Sequence, residues 1–182
     1  MRILICLLAS MMFTGNDTPL AIQFGTEENG NNWRAVNDGV MGGLSKGVVE
    51  MTGETAKFTG EISLRNNGGF ASFRSPYDEF DLGQYETVEI RARTTGQSFA
   101  MQLYRSRAWW EPYLKHPLEL DENGDWTTVK IPLADFKDTR LAEPTGRETD
   151  LEWLSETIQM AFINTGKKAG PFELEVAYIK FY

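Results

Sequence analysis

The sequence predicts an all-β protein, an antiparallel β-sandwich or barrel with one or two short helices. Short runs of alternating apolar and polar residues recur along the chain, as in "TVEIRART" (87–94) and "SFAMQLYR" (98–105). Turn signals rich in Gly, Asn and Pro separate these runs, and helical patterns are scarce. Together these observations favour short strands in an antiparallel arrangement, and a length of 182 residues fits one domain.

The predicted strands follow the alternating runs from residue 47 onward. In chain order they cover 47–52, 56–64, 70–75, 87–94, 98–105, 116–120, 126–133, 158–164 and 172–182. Helix is expected at two connections only. The segment 132–136 suits a single turn, and 149–157 begins with Thr149 as its N-cap and has acidic residues in its first turn.

The last strand changes its apolar phase partway along. Apolar residues of 172–176 alternate regularly, whereas Ile179 and Phe181 fall on the opposite phase. If the strand alternated regularly throughout, this second pair would be exposed to solvent. We therefore predict a β-bulge near residues 177–178, which brings the pair back to the core side.

Several polar side chains share the outward phase on three successive strands. We predict one positively charged polar face as a candidate binding surface, comprising Arg74, Arg91, Arg93, Gln102 and Tyr104. The alternative is a solvated face on which the arginines pair with neighbouring glutamates such as Glu89.

A second candidate binding surface is the aromatic stretch "YRSRAWWEPYLKHP" (104–117). Exposed aromatic residues beside arginine are typical of surfaces that bind sugars or proteins, so Tyr104, Trp109, Trp110 and Tyr113 are candidates. Adjacent tryptophans cannot share one strand face, and we expect one in the core and one exposed. The alternative is a lid packed over the end of the sandwich.

The phrase "AVNDGVMGG" (35–43) is interpreted as a structural turn. Its glycines, Gly39, Gly42 and Gly43, allow backbone angles that other residues avoid, and Asp38 can hold a turn by hydrogen bonding. Met41 is expected to fill the core edge. A ligand-binding role for Asp38 is the alternative.

Composition excludes some classes of function. Hydrophobic residues make up 41% and aromatic residues 12%, enough for a full core. The net charge of -8 repels phosphate backbones, which argues against general nucleic-acid binding.

The N-terminal residues resemble an export signal. Arg2 precedes an apolar run over 3–13, which is too short to span a membrane. We therefore expect a cleaved signal peptide at 1–21, a single domain at 22–182 without a membrane span, and a periplasmic or secreted protein. Cys6 is the one cysteine, and cleavage of the signal peptide would remove it. The mature protein would then have no thiol for catalysis, metal binding or disulfide formation.

Catalytic and metal-binding patterns are weak. His116, the one histidine, is followed by Pro117 in an apolar-alternating run, and we interpret it as structural. We expect the acidic group Asp78, Glu79 and Asp81 to be solvated. The stretch "DENGD" (121–125) begins like a calcium loop but lacks the required glycine and glutamate. We expect no enzyme activity and no cofactor; a structural calcium ion held by loop carbonyls stays open.

Two long phrases carry a family resemblance. "WRAVNDGVMGGLSKG" and "FTGEISLRNNGGFASFRS", followed by "DLGQYETVEIRART", "WTTVKIPLADF" and "GPFELEVAYIKF", resemble the complex I intermediate-associated protein 30 family over 24–182. The resemblance implies a galactose-binding-like jelly-roll β-sandwich. It also implies a non-catalytic, chaperone-like protein that binds respiratory complex subunits. The alternative is a carbohydrate-binding module in which Trp109, Trp110 and Tyr113 stack on sugar rings.

Overall fold

The computed structural model describes residues 19–25 and 28–182, in which two antiparallel sheets pack face to face. The strands, in chain order, are β1 (Leu20–Gln23), β2 (Arg34–Asn37), β3 (Lys46–Met51), β4 (Ala56–Ile62), β5 (Ala71–Arg74), β6 (Thr87–Thr95), β7 (Phe99–Tyr104), β8 (Tyr113–Pro117), β9 (Thr127–Pro132), β10 (Lys137–Arg140), β11 (Glu143–Pro144), β12 (Gln159–Asn164) and β13 (Gly170–Phe181).

The strands divide into a back sheet and a front sheet. The back sheet has the order β3-β4-β13-β6-β9, and β1 pairs with the second half of β13. The front sheet has the order β11-β10-β8-β7-β12-β5-β2. The predicted all-β antiparallel sandwich is confirmed. The expected signal peptide at 1–21 lies almost wholly outside the described residues.

Aromatic side chains from both sheets fill the space between them. Phe58 of β4 lies 4.8 Å from Phe172 of β13, measured between ring centroids, and Trp33 lies 4.9 Å from Phe73 of β5. All four are buried. Tilted pairs of this kind add to the stabilisation from apolar burial. Between the sheets, the rings of Phe58 and Phe73 stack with their centroids 6.0 Å apart.

The predicted bulge in the last strand is confirmed. Val176 pairs with Ala92 of β6, but Tyr178 pairs with Arg91, so Ala177 is an extra residue in β13. This bulge returns Ile179 and Phe181 to the core, where both are fully buried. The carbonyl of Ala177 accepts a hydrogen bond from the Phe24 amide at 3.1 Å.

The helices are short and lie in connections. α1 covers Glu28–Asn31 and α2 covers Leu151–Ser155, and the described chain also forms 3-10 turns at Asp38–Met41, Arg65–Asn67, Leu82–Gln84 and Leu133–Asp135. The predicted N-cap of α2 is wrong by one residue. Asp150 accepts the Trp153 amide at 2.6 Å, while the Thr149 hydroxyl donates to the Phe136 carbonyl. Within the described residues, no helix has the length and apolarity to cross a membrane.

Some strand boundaries differ from the prediction. The strand expected at 116–120 runs over Tyr113–Pro117, because Leu114 supplies the core-facing position and Pro117 ends the pairing with β7. Four short strands were not predicted, namely β1, β2, β10 and β11. Each has four residues or fewer, too short for an alternating pattern to stand out.

Candidate binding site

The outer surface of the front sheet, here called the front face, is polar and contains two tyrosines. Phe99, Met101 and Leu103 of β7 point into the core. Because side chains alternate along a strand, the positions between them belong to the front face. The neighbouring strands then bring the following outward side chains together: Ser72, Arg74, Gln102, Tyr104, Tyr113, Lys115, Gln159 and Ala161.

The two tyrosines form the centre of the front face. Tyr104 and Tyr113 are paired across β7 and β8, and their ring centroids lie 5.2 Å apart. The Tyr104 hydroxyl donates to Oε1 of Gln102 at 2.7 Å, and the guanidinium of Arg74 lies over the Tyr104 ring. Burial raises the pKa of Tyr104 to about 12 and also raises that of Tyr113. Both hydroxyls therefore stay protonated at neutral pH and contribute hydrogen bonds rather than charge.

A tight turn between β7 and β8 presents two exposed tryptophans beside the front face. The Glu111 amide donates to the Ala108 carbonyl at 3.1 Å, which places Trp109 and Trp110 at the middle of the turn 108–111, here called the tryptophan turn. They are 66% and 50% exposed, and their rings are perpendicular at 5.8 Å. Arg140 of β10 donates to the Trp110 carbonyl at 3.0 Å and holds the turn.

The prediction that one of these tryptophans enters the core is wrong. The argument from alternating strand faces does not apply, because both residues occupy the central positions of a turn, where side chains project to solvent. The lid interpretation fails for the same reason.

The prediction of a single arginine face is also wrong. Arg74 lies on β5 and Tyr104 on β7 of the front sheet, whereas Arg91 and Arg93 lie on β6 of the back sheet. The three residues between β6 and β7 carry the chain from one sheet to the other. Equal phase on successive strands therefore places these side chains on opposite outer surfaces of the sandwich.

Ion pairs and stacking occupy the two arginines of the back sheet. Arg93 donates to Oε2 of Glu175 at 2.6 and 2.8 Å, and both Arg91 and Arg93 lie over the ring of Trp126. Burial raises the pKa of Glu175, but hydrogen bonds from Thr55 and Arg93 outweigh it and lower the pKa overall. The back surface thus satisfies its own charges, much as the solvated-face alternative describes.

Asp38 is a buried carboxylate at the turn after β2. It is 1% exposed and accepts hydrogen bonds from the Ser45 amide and hydroxyl at 2.9 and 2.6 Å, from the Gly69 amide at 2.7 Å and from the Phe70 amide at 3.2 Å. A carboxylate with four donors has little capacity left for a ligand. The arrangement is that of a structural anchor.

The glycines of this turn serve different purposes. Gly42 has a φ of 84°, which favours glycine. Gly43 is required by space, because a Cβ there would collide with the Asp38 carboxylate. Gly39 has open space around it and no positive φ, so the expectation that its backbone needs glycine is wrong. Met41 is 66% exposed and does not fill the core edge as expected.

The residues considered for catalysis do not form a catalytic arrangement. His116 lies on β8 with its Nδ1 2.6 Å from the Pro117 carbonyl, and its ring lies 5.5 Å from that of Phe136. In "DENGD", Asn123 and Asp125 hydrogen-bond each other within a turn. Across residues 19–25 and 28–182, no cluster of three or more His, Cys, Asp or Glu side chains is placed to hold a metal ion.

Sequence comparison identifies a family over most of the chain. The family model for complex I intermediate-associated protein 30 matches residues 22–176. The mitochondrial complex I intermediate-associated protein 30 of Neurospora crassa is 26% identical over 145 residues, which are 71% of this chain and 52% of that protein. The chain therefore spans about half the length of the curated relative that it matches.

Structure comparison finds similar folds among carbohydrate-binding modules. A family 11 module of a cellulosomal cellulase of Clostridium thermocellum aligns with a TM-score of 0.63 at 15% identity, covering 88% of this chain and 93% of the module. A family 11 module from the same organism, solved with a beta-1,3-1,4-mixed-linked tetrasaccharide, aligns with a TM-score of 0.51 at 15% identity, covering 93% and 91%. At these identities the likeness concerns the fold, and it agrees with the galactose-binding-like sandwich implied by the sequence.

Proposed function

Because this chain belongs to the complex I intermediate-associated protein 30 family, we propose that it is a non-catalytic binding protein that holds a protein partner. The function would be that of an assembly factor, and respiratory complex subunits are the partners that the family name suggests. The N-terminal sequence supports a place of action outside the cytoplasm, in the periplasm or beyond, in the bacterial envelope.

The observation that carries this proposal is the exposed tryptophan turn. Trp109 and Trp110 are among the most exposed large apolar side chains of the described chain, and tryptophan is enriched at the energetic centres of protein interfaces. Their perpendicular rings form a projecting wedge. Such a wedge can insert into a pocket on a partner protein. Successive sugar rings stack more readily on aromatic rings that lie in one plane.

The front face beside the turn supplies the polar part of the interface. Tyr113 begins β8 two residues after the tryptophan turn, and Arg74 lies on β5 of the same sheet. An apolar anchor bordered by hydrogen-bonding groups is the usual composition of a protein interface.

Affinity capture of the tagged protein from its native cells tests this proposal. We expect the wild-type protein to retain one defined partner protein. Leu151→Ala is the control, because Leu151 is also 66% exposed, and it should retain the same partner. The Trp109→Ala/Trp110→Ala variant should lose it, because truncating an interface anchor costs about 2 kcal/mol or more. Capture that is equal in all three proteins, or absent from wild type, would contradict the proposal. Respiratory subunits in the captured material would extend the complex I role to this chain.

Carbohydrate binding is the second candidate, and the tyrosine pair supports it. Tyr104 and Tyr113 are tilted by only 34° relative to each other, and hydrogen-bonding side chains border them. The fold is shared with modules named for carbohydrate binding, one of them solved with a mixed-linked tetrasaccharide. A shift of tryptophan fluorescence on adding that tetrasaccharide, lost in Tyr113→Ala and retained in Leu151→Ala, would favour this candidate over a protein partner.

A further inference from the structure

Four basic side chains stand in one row across the front face. The row follows directly opposed positions on six adjacent strands, from β10 to β2. In spatial order its positions are Lys137, Lys115, Gln102, Ala161, Arg74 and Arg34. The basic members, called the cationic row below, form two pairs at the ends, with an uncharged middle between them.

The cationic row has no acidic counterpart on its own surface. The outward positions of the seven front strands contain no Asp or Glu. None of the five salt bridges found among the described residues involves a member of the row. The chain as a whole carries a net charge of -8. The row therefore presents four positive charges that no carboxylate on the same strand surface neutralises.

This arrangement is unfavourable in the unbound protein. Lys115 and Lys137 are directly opposed on β8 and β10, and like charges in that position destabilise a sheet. Burial lowers the pKa of Lys115, and the nearby charge of Lys167 lowers it further. A bound anion would relieve both the repulsion and the unfavourable burial of the charge.

We propose that the cationic row binds an acidic polypeptide segment of the protein partner, with carboxylates meeting the two basic pairs. This inference rests on the proposed function. Lys115 and Arg74 are three strand spacings apart, about 14 Å, and an extended chain covers that distance in about four residues. The segment would thus carry two acidic clusters about four residues apart, one for each pair.

A peptide fits this surface better than a glycan does. The guanidinium of Arg74 lies over the Tyr104 ring at 5.4 Å, and the Tyr104 hydroxyl is already bonded to Gln102. One face of the Tyr104 ring is therefore covered by a cation, which leaves less aromatic surface for a sugar. At the middle of the row Ala161 and Gln102 are buried, 0% and 2% exposed, so a ligand meets the row at its two basic pairs.

Fluorescence anisotropy with a labelled peptide tests the inference. The probe is Glu-Glu-Ser-Gly-Glu-Glu, with Gln-Gln-Ser-Gly-Gln-Gln as its neutral counterpart. We expect the acidic peptide to bind at low salt and to weaken as salt is added. Arg74→Gln/Lys115→Gln should lower its affinity about tenfold, since both charges face the ligand. Lys46→Gln/Arg91→Gln, an equal loss of charge on the back sheet, should leave affinity unchanged.

Several results would overturn the inference. These are equal binding by the two double variants, equal binding of the acidic and neutral peptides, or a preference for polygalacturonate over the acidic peptide. If Arg74→Gln/Lys115→Gln does not fold, Arg34→Gln/Lys137→Gln replaces it, because both of these side chains are exposed. Partner capture that depends on the tryptophan turn but not on the cationic row would refute this inference and leave the proposed function standing.

Discussion

The Gly69 amide donates a hydrogen bond to Oδ2 of Asp38 at 2.7 Å, although the two residues are 31 positions apart in the chain. Asp38 follows β2, and Gly69 precedes β5. The bond therefore closes the loop that contains the β3–β4 hairpin, at one corner of the sandwich. With Ser45 and Phe70 as further donors, the buried carboxylate organises three segments at once.

Replacing Asp38 should destabilise the fold. Asp38→Ala leaves the Ser45, Gly69 and Phe70 amides without their acceptor, at an expected cost of about 3 kcal/mol in the free energy of unfolding. Chemical denaturation measures this cost, and Asp121→Ala, at an exposed carboxylate, is the control. Unchanged stability with loss of partner binding would instead assign Asp38 to the binding site.

The same carboxylate should make stability depend on acid. Burial raises the pKa of Asp38, but the hydrogen bonds from Ser45, Gly69 and Phe70 outweigh it and hold the pKa below 3.8. The stabilisation it provides is therefore complete above its unfolded pKa and is lost as pH falls through the lower folded value. The difference in unfolding free energy between wild type and Asp38→Ala should shrink as pH falls from about 5 to about 2. A difference that stays constant over this range would contradict the assignment.

Two glycines of the same turn should respond differently to alanine. Gly43→Ala places a Cβ against the Asp38 carboxylate and should cost about 1–3 kcal/mol, as overpacking does. Gly39→Ala meets no atom within 4 Å and should change stability by less than about 0.5 kcal/mol. Thermal melting of the two variants provides the comparison. Equal loss of stability would show that backbone flexibility, rather than space, determines the glycine requirement.

Deleting Ala177 should be tolerated, whereas inserting one residue after Tyr178 should abolish the native fold. The deletion leaves a strand that alternates regularly from Phe172 to Phe181, so Ile179 and Phe181 still face the core. The insertion turns the same two side chains outward. Circular dichroism and soluble yield would report the difference between the two variants. Loss of the fold on deletion of Ala177, or a stable protein with the insertion, would contradict this account of the bulge.

Sequence patterns predicted the long central strands because their alternation is set by burial of one face. The bulge at Ala177 was predictable for the same reason, because the apolar residues of β13 change phase in the sequence. Alternation does not indicate the sheet to which a strand belongs. Arg74 and Arg91 were therefore placed on one surface although they lie on opposite sheets.

The candidate site was predicted only in part. Trp109, Trp110 and Tyr113 stood out by composition, but the exposure of both tryptophans depends on a four-residue turn with no distinctive sequence signal. Lys115 and Lys137 were missed. Their shared row depends on the register between β8 and β10, and β10 is too short to be recognised. The donors to Asp38 could not be predicted because they come from distant segments.

The central claim is that the tryptophan turn contacts a protein partner while the back sheet does not. A photo-crosslinking amino acid in place of Trp110 tests it in native cells, and the same replacement at Val48, 57% exposed on β3, is the control. The account predicts a cross-link from position 110 to one defined protein and none from position 48. Cross-links to that protein from position 48, or no protein adduct from position 110, would contradict it.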